Sequence, residues 1–140
     1  MLVSVTRLQL RSLRFLPIFF VYSLRSIRQA RNAGGFVSGW TASEWPLAFW
    51  TATTWRSMDA MRGYRNAAPH LQAMRKLLDW CDEASFVHWE EADAQPPAPA
   101  DAYERMRTSG SVSKVRQPSP RQAAGRTVGD RPPARPVKVR

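Results

Sequence analysis

The segment Leu47–Trp55 (LAFWTATTW) constrains this chain more than any other. Its β-branched and aromatic residues predict a strand. That strand is apolar on both faces, with Leu47, Phe49 and Trp55 on one side and Ala48, Trp50 and Ala52 on the other. A sheet built around it must be covered on both faces. Helices of the same chain can cover one face. The other calls for a partner, and a homodimer is the expected solution.

The flanking sequence supplies the remaining elements. Met1–Leu10 (MLVSVTRLQL) nearly alternates apolar and polar residues, as a strand does. Phe15–Asn32 predicts a helix, with Pro17 in its first turn, where the missing N–H is not needed. Leu16, Phe20, Leu24 and Ile27 make its apolar stripe, and Gly34–Gly35 ends it. Phe36–Ala42 is a second strand, Ser43–Pro46 a turn, and Leu47–Trp55 the third strand. Ser57 caps a helix over Met58–Arg65, with Asp59 in its first turn. Asn66–Pro69 interrupts the helix and Pro69 restarts it as a first-turn residue. Leu71, Met74, Leu78 and Cys81 continue an apolar stripe, and Ser85–Glu91 is the closing strand. The order is βαββαβ, an α+β ferredoxin-like arrangement with an antiparallel sheet and helices on one face. Asp79, Asp82 and Glu83 crowd the expected C-terminus of the last helix, where negative charge is unfavourable; arginines of a partner would neutralise them.

Composition divides the 140 residues into a domain at 1–94 and a tail at 95–140. Eight of the eleven prolines lie from Pro96 onward, and the tail has no Trp or Phe. So little apolar surface cannot offset ordering entropy, so a disordered tail is expected. Charge divides as well: residues 1–94 carry eleven Lys/Arg against eight Asp/Glu, and residues 95–140 carry ten against three. A basic tail attracts polyanions, so nucleic acid or an anionic surface is a candidate partner through the tail. The apolar run Phe15–Leu24 begins late, is followed by Arg25 and Arg28, and is too short to span a bilayer. Cys81 is the single cysteine, which excludes an intrachain disulfide and fits a reducing cytoplasm. His70 and His88 stand alone at metal-ligand spacing, so no protein-bound metal is expected, and no glycine-rich phosphate loop occurs.

One block stands out: Thr54-Trp55-Arg56-Ser57, Ala60-Met61-Arg62, Tyr64-Arg65, then His70 and Leu78-Asp79-Trp80. With the βαββαβ order, it resembles the dimeric α/β-barrel superfamily of antibiotic-biosynthesis-monooxygenase type. It looks closest to a bacterial branch of that superfamily and is more weakly similar to spheroidene monooxygenase. The resemblance covers residues 1–92 or so. It implies a dimeric α/β barrel with a pocket between sheet and helices in each protomer. Some members oxidise polycyclic substrates without a cofactor. Others bind or degrade haem through a helix histidine, and His70 stands at the similar position. Tyr64 falls where haem-degrading members carry an aromatic residue important for catalysis. This chain departs from them: the Tyr64–His70 segment is shorter, and Ser4, Thr6 and Gln9 include no match for their first-strand amide.

Two readings follow. In the first, the chain is a cofactor-independent monooxygenase acting on an apolar or polycyclic small molecule. His70 and Tyr64 are then the catalytic candidates, and Trp50, Trp55, Trp40 and Arg65 the substrate-binding ones. In the second, it is a noncatalytic ligand-binding or structural dimer module. The first requires a sizeable cavity lined by His70 or Tyr64. A sheet–helix space filled by Trp and Leu side chains would exclude it.

Overall fold

Alternation in the first strand sets up two different layers. In the computed structural model, which describes residues 1–67 and 70–139, β1 (Leu2–Leu10) sends Val3, Val5 and Arg7 to one face. Leu2, Ser4, Thr6 and Leu8 face the other way. β1 lies between β3 (Ala48–Trp55) and β4 (Cys81–Glu90), and β2 (Phe36–Glu44) pairs with β3. Two short strands, β5 (Ser111–Val112) and β6 (Ala134–Lys138), extend the edges, giving an antiparallel sheet in the order β5-β4-β1-β3-β2-β6. Three helices cover one face: α1 (Leu16–Asn32), α2 (Met58–Asn66) and α3 (His70–Trp80). This is the ferredoxin-like α+β order expected from the sequence.

Local signals act where they were read. The Ser57 hydroxyl accepts from the Ala60 N–H at 3.1 Å, and Asp59 lies in the first turn of α2. Gly35 adopts φ +90°, and a Cβ there would sit 2.4 Å from that of Ala60, so both backbone and space require glycine. The reading of Pro69 as a helix-start residue lies outside the described residues. α1 turns differently from its expected stripe. Phe19 and Ala30 are its buried residues, whereas Phe20 and Leu24 are exposed.

Cys81 is not the end of a helical stripe. It is the first residue of β4, opposite Leu10, because β1 is long enough to pair with β4 that far. Burial, with Asp82 beside it, pushes the thiol up to about 12, leaving a small buried hydrophobe and no nucleophile.

The largest departure concerns residues 95–139. The structure places ordered elements there rather than a disordered tail. α4 (Pro99–Ser109) lies on the face of the sheet that α1–α3 leave open, with α5 (Pro120–Ala123) nearby on β4. Ala102 and Met106 are fully buried against Val3, Val5, Trp40, Trp50 and Val87, and Val128 joins them. Side chains of the sheet hold this segment by its backbone. Trp40 Nε1 donates to the Pro97 carbonyl at 2.7 Å, Ser38 Oγ to that of Ala94 at 2.8 Å, and Ser85 Oγ to that of Thr127 at 2.7 Å. Composition alone does not register this, because it reflects only the segment's own apolar groups. The apolar surface that orders the tail belongs to the sheet.

The same segment accounts for the acidic cluster and removes the physical reason for a partner. Arg7, 1% exposed, donates from Nη1 to Glu83 at 2.7 Å and from Nε and Nη2 to Glu44 at 2.9 and 3.0 Å. Ser119 Oγ donates to Glu83 at 2.8 Å, and Arg121 Nε lies 3.4 Å from the same carboxylate. Gln9 bridges Asp82 and Glu83, and Arg116 pairs with Asp79 at 2.6 Å. The arginines expected from a partner come from the chain itself. The second sheet face, which was to carry the dimer, is covered by α4 and residues 127–129.

Candidate functional site

On the helix side, the sheet and helices do not close against each other. A cavity of about 720 Å³ remains between them. Register explains its polar floor. Ser4 of β1 stands opposite Thr53 and His88, and Thr6 opposite Thr51 and Phe86, so rows of small hydroxyl residues cross the sheet. The roof is apolar, from Phe19, Phe20 and Ile27 of α1, Met61 of α2, and Ala73 and Leu77 of α3. The short hydroxyl side chains of the floor leave the space beneath the helices open.

One end of the cavity is aromatic. Trp55 stacks on Tyr64 with centroids 5.1 Å apart and planes at 27°, and Tyr64 lies 4.4 Å from His70. Trp55 is fixed in turn by its Nε1 donating to Thr53 Oγ1 at 2.9 Å. Gln29 of α1 locks the junction of α2 and α3: its Oε1 accepts from the His70 N–H at 2.8 Å, and its Nε2 donates to the Tyr64 carbonyl at 3.0 Å.

The chemistry of His70 follows from one contact. Its Nδ1 lies 3.2 Å from the Arg65 carbonyl, which can only accept, so Nδ1 carries the proton and Nε2 keeps its lone pair. Burial holds the imidazole below the usual histidine range; the Arg65 carbonyl opposes that shift, and the Arg65 charge adds to it. His70 is thus a neutral base at pH 7. Tyr64 is different. Burial raises its hydroxyl far above the ordinary phenol range, and its proton is committed to the Ser26 carbonyl at 3.1 Å. It can form a wall and accept a hydrogen bond, but its one donor is in use. Tyr64→Phe is therefore expected to cost about 1 kcal/mol of stability in urea melts. An unchanged midpoint would mean the Ser26 bond is not formed.

Of the expected site residues, His70, Tyr64, Trp55 and Arg65 border this cavity together. Trp40 does not join them, and Trp50 reaches the cavity's border but sends its indole elsewhere. Their indoles belong to the opposite layer, where Trp50 Nε1 donates to Glu44 at 2.8 Å and packs 6.3 Å from Tyr103. The period of two in β2 and β3 sends these side chains away from Thr51 and Thr53. His88, read from the sequence as structural, lies in the cavity floor. Burial, and then the charges of Arg65 and Arg62, lower its basicity. The signal that could have found it was its place on the same strand face as Phe86. Among the described residues, no group of three His, Cys, Asp or Glu side chains could hold a metal ion.

The ferredoxin-like sheet with its layer of helices has the fold of the antibiotic-biosynthesis monooxygenases. Solved structures of that type are similar to this chain. One is a putative antibiotic biosynthesis monooxygenase from Nitrosomonas europaea, at TM-score 0.58 and 14% identity, covering 66% of this chain and all of the other. Another, from Deinococcus radiodurans, has TM-score 0.58 and 16% identity over 70% of this chain and 99% of its own. SnoaB from Streptomyces nogalater, described as a cofactor-independent oxygenase, has TM-score 0.55 and 15% identity over 66% of this chain and 93% of its own. No family model matches the sequence, and no curated protein matches it. About two thirds of this chain accounts for nearly the whole of each neighbour; the remaining third lies outside the shared fold.

Proposed function

We propose that the chain is a cofactor-independent monooxygenase that holds an apolar, polycyclic small molecule in the sheet–helix cavity, with His70 as general base. The observation that carries this reading is a neutral, half-buried imidazole with a free Nε2, at the aromatic end of a largely apolar cavity of about 720 Å³. Trp55 and Tyr64 offer a flat wall for a fused-ring substrate. Arg65, with its charge at the cavity edge, favours the anion that deprotonation creates. A substrate CH₂ that becomes C=O consumes one O₂ and releases one water. Its own two C–H bonds supply the electrons, so no outside reductant is needed. The protein supplies a dry site, a base and orientation.

The working unit in this reading is a single chain, placed in the cytoplasm where Cys81 stays reduced. A second copy finds its sheet face already covered by α4. Nucleic-acid binding through the tail is left with less support, since the tail's basic residues are partly spent on Asp79 and Glu83.

The test is O₂ uptake by the purified protein with a tricyclic ketone bearing an activated CH₂, such as anthrone. One O₂ per substrate is expected. His70→Ala should lower kcat by about 100-fold or more, the usual contribution of a positioned base. Because His70 titrates below the ordinary 6.5, the rate should rise with pH and reach its plateau by about that value. Turnover unaffected by His70→Ala would overturn the assignment. So would a Soret band formed with added haem and lost in His70→Ala. The alternative, a noncatalytic binding module, is favoured by Tyr64 having its proton engaged on Ser26. It expects saturable binding of the ketone with no O₂ uptake.

A further inference from the structure

The outer face of α1 is apolar where a solvent-facing helix is normally polar. Leu13 is 69% exposed, Leu24 66% and Phe20 49%, with Ile18 and Val21 also exposed. Leu13, Pro17, Phe20, Val21 and Leu24 follow at helical spacing, so they share one side of the helix and its lead-in turn. Met74 of α3, also exposed, lies on the neighbouring helix. Three of these residues, Phe20, Leu24 and Met74, also line the cavity. The cavity therefore opens between α1 and α3 onto this apolar patch.

Its charge is predominantly positive, and the carboxylate near its lead-in turn, Asp79, is paired with Arg116. The first 43 residues contain six arginines and no Asp or Glu. Arg14, Arg25 and Arg28 on the α1 side and Arg75 and Lys76 on α3 are all exposed around the patch. Among the described residues, none of the five has an ion-pair partner. Two copies placed face to face here would bring cations together. An apolar stripe with a cationic border instead matches a surface that is apolar beneath and anionic above. No helix among the described residues is long and apolar enough to cross a membrane, so α1 would lie in the plane of such a surface.

We infer that the outer face of α1, with the adjoining end of α3, docks on an anionic lipid bilayer, and that the cavity receives its apolar ligand through the mouth this docking covers. The second half rests on the cavity being the ligand site proposed above; the docking itself does not. Leu13, Phe20, Val21 and Leu24 enter the headgroup–acyl boundary, and the arginines pair with lipid phosphates. The mouth at Phe20, Leu24 and Met74 then faces hydrocarbon, and a polycyclic molecule dissolved there passes in without crossing water.

Co-sedimentation of the full chain with vesicles tests this. Binding is expected to phosphatidylcholine vesicles containing 30% phosphatidylglycerol, at least tenfold stronger than to pure phosphatidylcholine, and to weaken several-fold in 0.5 M NaCl. Leu13→Glu/Val21→Glu and Arg25→Glu/Arg28→Glu should each lower binding at least tenfold with an unchanged circular dichroism spectrum. Arg131→Glu/Lys138→Glu, which alters the C-terminal charge instead, should leave it intact. Equal binding to neutral vesicles would overturn the inference. So would loss of binding only in the C-terminal variant, or α1 variants that turn a dimer into a monomer. Anthrone binding in solution separates the two proposals. Vesicle capture without anthrone binding overturns the ligand site and keeps the docking face. Anthrone binding without capture does the reverse.

Discussion

A chain ending at Ala94 is expected to scatter light as dimers or larger aggregates, and the full chain is expected to scatter as a monomer. Truncation uncovers Val3, Val5, Trp40, Trp50 and Val87, which α4 and Val128 bury in the intact protein. Burial of each large apolar side chain contributes about 1.5–3 kcal/mol. Five such groups exposed together rival the 5–15 kcal/mol by which a domain is typically stable. The truncated sheet must therefore find another cover, and a second copy presenting the same face is the nearest one. Met106→Asp in the full chain probes the same contact without deletion, by placing an unpaired carboxylate against the sheet. A truncated chain that stays monomeric with a native spectrum and an unchanged melting temperature would show that α4 contributes nothing to the fold.

Arg7→Met should destabilise the full chain by about 3–5 kcal/mol, a loss of roughly 10 °C in Tm. The methionine fills similar volume, so the cost is electrostatic: Glu44 and Glu83 remain together with no cation between them. Replacing both carboxylates by glutamine in the same variant should recover most of the loss, since a neutral network carries no stranded charge. The pH dependence has a definite sign. Burial alone would raise Glu83, but hydrogen bonds from Arg7 and Ser119 and the charges of Arg7 and Arg121 outweigh it and hold Glu83 below its ordinary 4.5. A carboxylate lowered by folding stabilises the protein above its unfolded value, and that contribution is lost as pH falls through the folded one. The wild type should thus weaken on acidification below about 4.5. In Arg7→Met the deficit relative to wild type should shrink over the same window, because stranded carboxylates take up protons. Chemical melts of both proteins from pH 7 to pH 3 check this; a deficit constant with pH would assign the loss to packing.

The candidate site was only half legible in the sequence. Tyr64 and His70 could be singled out because resemblance and helix position both marked them. That the Tyr64 proton is taken by Ser26, and that His70 presents Nε2, depends on carbonyls of α1 and α2, which leave no trace in side-chain pattern. The tryptophans misled for a simpler reason. Aromatic composition suggests a binding wall, but strand alternation places Trp40 and Trp50 behind the sheet and only Trp55 in front of it.

The strand that is apolar on both faces, Leu47–Trp55, did require two covers. Its periodicity, with the caps and glycines around it, was enough to determine the βαββαβ order and the layer of helices on one side. Those features depend on residues close together in the chain. What covers the second face depends on an energy shared between distant segments. Residues 95–139 are too poor in large apolar groups to order themselves, yet they carry Ala102, Met106 and Val128 at positions that complete a surface made by residues 3–87. Local composition cannot register such a contact, and only the tertiary structure could show that the chain's own C-terminal segment covers that face.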